Sequence, residues 1–199
     1  PGSLYNEIRK NNLAAMLMKE GQLEKAFDAF QAILRKSPKN IEAKSGVFEI
    51  ANKFFERKDY PRALKIFETA ARRWPGELNE KPEINYAMAE IYFSEKQYEK
   101  SRKHFFNLLN LDPASKNAHK ALNRIGDSYI IEGKYQHALS VFDESGKRTS
   151  VKLNEKGEPV FDDEGNKVRE ETAETQYGKI RMADIGVRSP RLKIQDIVF

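Results

Sequence analysis

The strongest constraint on this chain is that it repeats itself. The segments GQLEKAFDAFQAILRKSP, KDYPRALKIFETAARRWP, KQYEKSRKHFFNLLNLDP and GKYQHALSVFDES align without forcing. A small residue recurs at Ala26, Ala63, Ser101 and Ala138, at spacings of 37, 38 and 37. Four residues after each stands a phenylalanine: Phe30, Phe67, Phe105 and Phe142. Three residues before each is Leu23, Tyr60, Tyr98 or Tyr135, and the first three segments close on Pro38, Pro75 and Pro113. A period in this range marks an array of supersecondary units, each unable to bury its apolar face alone.

A second helical pattern precedes each segment. Its markers are Leu13, Ala14 and Leu17, then Ile50, Ala51 and Phe54, then Met88, Ala89 and Tyr92, then Ile125, Gly126 and Tyr129. Apolar residues at i, i+1 and i+4 line one helix face, and the small member lets a neighbouring helix approach. Each unit therefore reads as a helical hairpin with a tight turn such as KEGQ or IEGK.

Taken together these residues resemble tetratricopeptide repeats over residues 7 to about 146. The resemblance implies an all-α, right-handed superhelix, an α-solenoid of four hairpins, at 7–40, 44–77, 82–115 and 119–146. The spacing exceeds the family's usual 34 residues, so a first helix that starts about one turn early is expected. This longer spacing resembles repeats of bacterial envelope and periplasmic scaffold proteins, and implies a bacterial cytoplasmic or periplasmic setting. The opening PGS reads as a vector remnant, which leaves any targeting segment open.

The stretch VKLNEKGEPVFDDEGNKV, 151–168, interrupts the helices with two eight-residue units, each turning on a glycine, Gly157 or Gly165. It reads as a β-hairpin or meander inserted at about 148–170. Helical pattern resumes with Met182 and Ala183, followed by Leu192 and Phe199, spaced like Leu23 and Phe30. The interval from Ala138 to Gln195 equals one repeat plus 20 residues. A truncated fifth hairpin is therefore expected at 171–199, and the chain reads as a fragment of a longer array. Val151, Leu153, Val160, Phe161 and Val168 are too few to form a core, so order requires the adjacent helices or a partner. Val160 and Phe161 are the candidate contacts of the insertion.

In this family the concave face is lined by first helices. The resemblance places Met18, Phe55, Phe93 and Ile130 on it as an apolar ladder, with Phe48 and Tyr86 beside it. Asn52, Glu90 and Asp127 form a polar-to-acidic line one turn away. Such a groove suits an amphipathic helix or extended peptide with apolar anchors and a Lys or Arg. The competing reading is that part of the ladder is internal core. A carboxylate clamp like that of some family members is rejected, since Phe48 and Ala87 stand where lysine and asparagine are required. Lys120 and Arg124, one turn apart, remain a candidate anion pair.

Catalysis is not expected. His104, His119 and His137 lie in different helices, and no HExxH, phosphate-binding loop or nucleophile elbow occurs. DDEGN at 162–166 fails as a calcium loop, because its glycine falls early and a closing glutamate is absent. There are no cysteines, which excludes disulfides and thiolate chemistry here. No cofactor, metal, small-molecule substrate or membrane span is expected. Lys and Arg number 35 against 30 acids, a mild excess that does not argue for nucleic acid. The expected partner is a protein or peptide. Two alternatives stand behind it: an assembly subunit that self-associates through its ends and insertion, and an RNA-binding helical repeat.

Overall fold

The computed structural model describes residues 2–188. They form α1 (Gly2–Lys19), α2 (Leu23–Lys36), α3 (Ile41–Glu56), α4 (Tyr60–Arg73), α5 (Pro75–Glu80), α6 (Pro82–Ser94), α7 (Tyr98–Leu111), α8 (Ala118–Ile131), α9 (Tyr135–Lys147) and α10 (Ala173–Arg188), with β1 (Ser150–Val151) and β2 (Arg169–Glu170) between the last two. The all-α class, the helical hairpins and the small β insertion are thus as the sequence led us to expect. The chain divides into two compact units, Pro1–Ile91 and Tyr92–Phe199.

The hairpin turns share one backbone device. Gly21, Lys58, Lys96 and Gly133 all adopt positive φ, at 79°, 61°, 61° and 72°. One residue later the chain donates back five positions: Gln22 N–H to Leu17 at 2.9 Å, Asp59 to Phe54 at 2.9 Å, Gln97 to Tyr92 at 2.8 Å and Lys134 to Tyr129 at 2.8 Å. This left-handed helix end satisfies carbonyls that would otherwise lose their partners. Glycine takes the conformation freely; Lys58 and Lys96 take it against the preference of an L side chain.

Each repeat phenylalanine sits at the bottom of the core. Phe67, Phe105 and Phe142 are wholly buried and Phe30 is 3% exposed. In the first unit Gly46 of α3 is pressed on Phe30 of α2, where an added Cβ would lie 2.4 Å from the ring. In the second, Gly126 of α8 meets Phe142 of α9 in the same way, at 2.5 Å. Gly178 of α10 packs on Phe142 and Ser145, and a Cβ there would meet the Phe142 carbonyl at 3.2 Å. Counted without the 20-residue insertion, Gly178 has the sequence offset from Phe142 that Gly46 has from Phe30, but it meets the Phe142 carbonyl and not the ring. The second helix expected around Leu192 and Phe199 falls outside the described residues.

The surplus length is used in two ways. Helix α3 begins at Ile41, a turn early, on an Asn40 cap whose Oδ1 accepts from Ala43 N–H at 2.8 Å. After α4, by contrast, the extra residues form the separate helix α5, starting with Pro75 at its first position.

The insertion is not an open meander. Lys152 N–H donates to Val168, Val168 to Val160, and Val160 to Lys152, each at 2.9 Å. Three segments eight residues apart thus close a ring of backbone hydrogen bonds. Its vertices are the pairs Leu153 with Pro159, Phe161 with Lys167, and Ser150 with Glu170. Two vertices are matching turns. Asn154 Oδ1 accepts from Lys156 at 2.9 Å and Glu158 at 3.0 Å, and Asp162 Oδ1 from Glu164 at 3.0 Å and Asn166 at 2.8 Å. Leu153 and Phe161 remain 54% exposed, so backbone pairing, not apolar burial, holds this element.

Gly126→Ala should lower the unfolding free energy by about 1–3 kcal/mol, because the buried Phe142 ring must move. Gly76→Ala, with nothing within 4 Å, should change it little. Urea unfolding followed by circular dichroism measures both; equal effects would refute the packing argument.

Candidate partner-binding surfaces

The helix faces singled out in the sequence fall into two groups. Met18 is 8% exposed and Phe48 2% exposed, so both belong to the core and not to an accessible ladder. Phe48 packs against Trp74, ring centroids 6.1 Å apart, and the Lys81 ammonium lies 5.4 Å over its ring. Trp74 can reach it because α4 ends there and α5 begins. Asn52, Phe55, Tyr86, Glu90, Phe93, Asp127 and Ile130 are half-buried.

The remaining ladder residues sit where each first helix ends, and each leans on the residue that opens the following helix. Phe55 stacks on Tyr60 at 5.9 Å, and Phe93 meets Tyr98 edge-on at 5.5 Å. Ile130 packs, with Tyr135, against the cluster of Ala138, Leu139, Phe142 and Ile185. One side of each residue therefore supports its hairpin, and the other side is available. In the second unit the Arg124 guanidinium covers Phe93 at 4.8 Å, a cation–π contact that places positive charge beside an apolar anchor.

Between α8 and α10 lies a pocket of about 320 Å³, lined by Lys120, Asn123, Arg124, Asp127, Ala173, Glu174 and Tyr177. It brings the anion pair and one member of the acidic line together. Asp127 is already engaged by α10: the Tyr177 hydroxyl donates to its carboxylate at 2.8 Å and Arg181 Nε at 3.2 Å. Burial, reinforced by this hydrogen bond and the Asp127 charge, pushes the Tyr177 phenol from 10.0 up to about 12. Lys120 is exposed at the mouth, and Asn123 is buried in the wall, 6% exposed.

Sequence reasoning missed how α10 is attached. His119 Nε2 meets the Ser145 carbonyl at 2.8 Å and its Nδ1 the Thr172 hydroxyl at 3.2 Å. Thr172 and Thr175 cap each other reciprocally at the start of α10, with N–H to Oγ1 distances of 3.1 and 3.2 Å. Thr175 Oγ1 donates to the Arg148 carbonyl at 2.6 Å, and Asn123 Nδ2 to Glu174 O at 3.0 Å. The other histidines stack on tyrosines, His104 on Tyr92 at 5.5 Å and His137 on Tyr129 at 5.1 Å. Among the described residues no cluster of His, Asp or Glu could hold a metal ion, and no helix is long and apolar enough to cross a membrane.

Because the Tyr177 phenol is raised, its neutral form is favoured by the fold. That contribution is present below about pH 10 and is lost as pH climbs toward about 12. An absorbance titration should show a late-ionising phenol that Tyr177→Phe removes. Stability should also fall less steeply over this interval in the variant; identical profiles would refute the assignment.

Residues 54–125 match the family model described as tetratricopeptide repeat. Among solved structures, MamA of AMB-1 is similar at a TM-score of 0.53 and 16% identity, over 69% of this chain and 70% of that one. A kinesin-light-chain-like protein of Podosopora anserina with nearly identical TPR-like repeats is similar at 0.55 and 10% identity, over 92% and 86%. A further MamA crystal structure gives 0.54 and 12%, over 70% of each chain. No curated protein matches the sequence. With the fourfold helix–turn–helix pattern and the buried phenylalanines, these likenesses show a tetratricopeptide-repeat fold, in which residues 54–125 match the family itself.

Proposed function

We propose that this chain is a non-catalytic scaffold that holds a helix or extended peptide of a protein partner on the faces of its first helices. The tetratricopeptide fold supports protein–protein interaction in general, and its members are typically non-catalytic. The observation that carries the finer reading is the pocket against α8, where Lys120, Arg124 and the Tyr177 ring share one concavity of about 320 Å³. Half-buried Phe93 lies beside Arg124 at 4.8 Å and offers an apolar anchor next to a cation. In the first unit, Phe55 and Asn52 offer the corresponding helix face.

Asp127 serves this reading differently from a free acidic rim. Its charge is shared between Tyr177 and Arg181, so it shapes the pocket and does not stand ready for a partner's lysine. A partner segment with an apolar residue and a carboxylate fits the second unit better than a basic one.

The test is capture of a partner from extract of the native source, by the parent chain and by the variants Phe55→Ala and Phe93→Ala/Lys120→Glu. Circular dichroism must show that each variant folds. Truncating an aromatic anchor costs about 1–3 kcal/mol, so the partner's Kd should rise about tenfold or more in at least one variant. A partner held equally by the parent and both folded variants would place binding elsewhere.

A second reading has its own observation. Helix α1 exposes Tyr5, Ile8, Leu13 and Met16, at 64%, 50%, 53% and 53%. These apolar side chains on one terminal helix favour contact with another copy or a neighbouring subunit. Sedimentation over a range of concentrations should then show self-association that Leu13→Lys/Met16→Lys abolishes. A monomer at every concentration eliminates this reading.

A further inference from the structure

A cleft of about 660 Å³ opens at the foot of the insertion, between the α7–α8 turn, the end of α9 and the segment entering α10. Its lining is rich in positive charge. Lys116 comes from the α7–α8 turn, Lys147 and Arg148 from the end of α9, and Arg169 from β2.

These cations are unequally compensated. Lys147 is paired with Asp143 at 2.5 Å. Arg148 donates from a terminal guanidinium nitrogen to the Pro113 carbonyl at 3.1 Å, and its nearest carboxylate, Glu144, is 3.7 Å from Nε. That Nε–H is out of contact with water and has no hydrogen-bond acceptor among the described residues. Among the described residues Arg169 is held by neutral groups, Thr149 Oγ1 at 2.8 Å and Thr149 O at 2.9 Å, which fixes its guanidinium without neutralising it. Lys116 has no ion-pair partner among the described residues. Against these three stands one carboxylate on the cleft wall, Glu174, which also borders Lys120 and Arg124 on its other side.

Two further features favour an anion. Helix α8 starts at Ala118 with no cap from the Asn117 side chain, although Ala118 N–H already donates to the Ser115 carbonyl at 2.9 Å, and His119 of its first turn lines the cleft. Hydroxyls of Ser115, Thr149, Ser150 and Thr172 are on the same walls. Lys116 and Arg169 have no carboxylate partner among the described residues, while Arg148 shares Glu144 at 3.7 Å, so against Glu174 the lining keeps a net positive charge; the fork-shaped donors of two arginines suit the several oxygens of a phosphoryl group.

We propose that this cleft is a binding site for a phosphoryl oxyanion, carried by a phosphorylated side chain of a protein partner. Arg169 and Arg148 supply planar donors, Lys116 a mobile point charge, and the α8 N-terminus its partial positive charge. The carrier rests on the scaffold reading; oxyanion binding itself does not. The cations are confined to the cleft lining of Lys116, Lys147, Arg148 and Arg169, whereas a nucleic-acid backbone needs a continued basic track. The site also gives the insertion a role, because β2 contributes the guanidinium.

The test is an NMR titration of the protein with inorganic phosphate, with the peptide Gly-Gly-phosphoserine-Gly-Gly and with its unphosphorylated form. Saturable shifts at amides of 115–119, 147–150 and 169–172 are expected with the first two and not the third. Tighter binding of the phosphopeptide than of phosphate supports the side-chain carrier, while equal or weaker binding overturns that carrier and leaves a free-anion site. Lys116→Ala, at a position without an ion-pair partner among the described residues, and Lys116→Ala/Arg169→Gln should weaken phosphate binding progressively, by about tenfold in the double variant. No saturation, or unchanged affinity in the folded double variant, overturns the site. A single-stranded oligonucleotide bound more tightly than the phosphopeptide, and lost in the double variant, overturns the protein carrier. Phosphate binding is measured without any partner, so it stands or falls apart from capture on the first-helix faces.

Discussion

The structure depends on a large ring meeting almost no side chain. Phe30 against Gly46 and Phe142 against Gly126 bring helix axes close enough that one methyl group would collide with the ring. Burial of such a phenylalanine is worth roughly 1.5–3 kcal/mol, and each array unit contributes one. The contact also sets phase. With the phenylalanine fixed, the residues four before it (Ala26, Ala63, Ser101, Ala138) and three after it (Ile33, Ala70, Leu108, Ser145) face the core, and the opposite face is left for other uses. In the second unit Phe142 is met twice, its ring by Gly126 of α8 and its backbone carbonyl by Gly178 of α10.

Continuing an array past an insertion is a different problem, solved here with polar groups. Helix α10 must land on α8 and α9 after a detour of some twenty residues. His119, Asn123, Ser145, Thr172 and Thr175 do this through directed hydrogen bonds, one of them buried and the others partly so. Burial of these groups unpaired would be costly, so the network specifies one landing position more sharply than apolar contact would. Tyr177 and Arg181 then reach back to Asp127 and tie the helix further along. Asp127 and Tyr177, partners in that contact, also line the pocket on this face.

Much of this was legible in the sequence. The phenylalanines and the small residues around them repeat in register, and helical periodicity makes their burial nearly inevitable. The twenty-residue correction that places α10 was arithmetic on the same pattern. Phe48 was not legible as core, because its burial comes from Trp74 across an α4–α5 junction that helical phase alone does not encode. Met18 was misplaced for a related reason: a half-buried rank in other repeats becomes fully covered in the first. The left-handed Lys58 and Lys96 were hidden because the residue carries no glycine signature there. In the insertion, the two eight-residue units were visible, but the third vertex, Ser150 with Glu170, is made by backbone groups that no residue type announces. The anchoring role of His119 was hidden because its partners come from the end of α9 and from Thr172, just ahead of α10.

The ring of hydrogen bonds has a consequence for how such a chain can change over time. Because Ser150 and Glu170 are directly paired, the two ends of the inserted segment lie side by side, and α10 is anchored by residues outside it. Everything from Val151 to Arg169 is therefore a replaceable cassette. It can lengthen, shorten or be exchanged for another closed loop without shifting the register of the helices that follow. An array built this way can acquire a new recognition element at one junction while every other contact stays as it was.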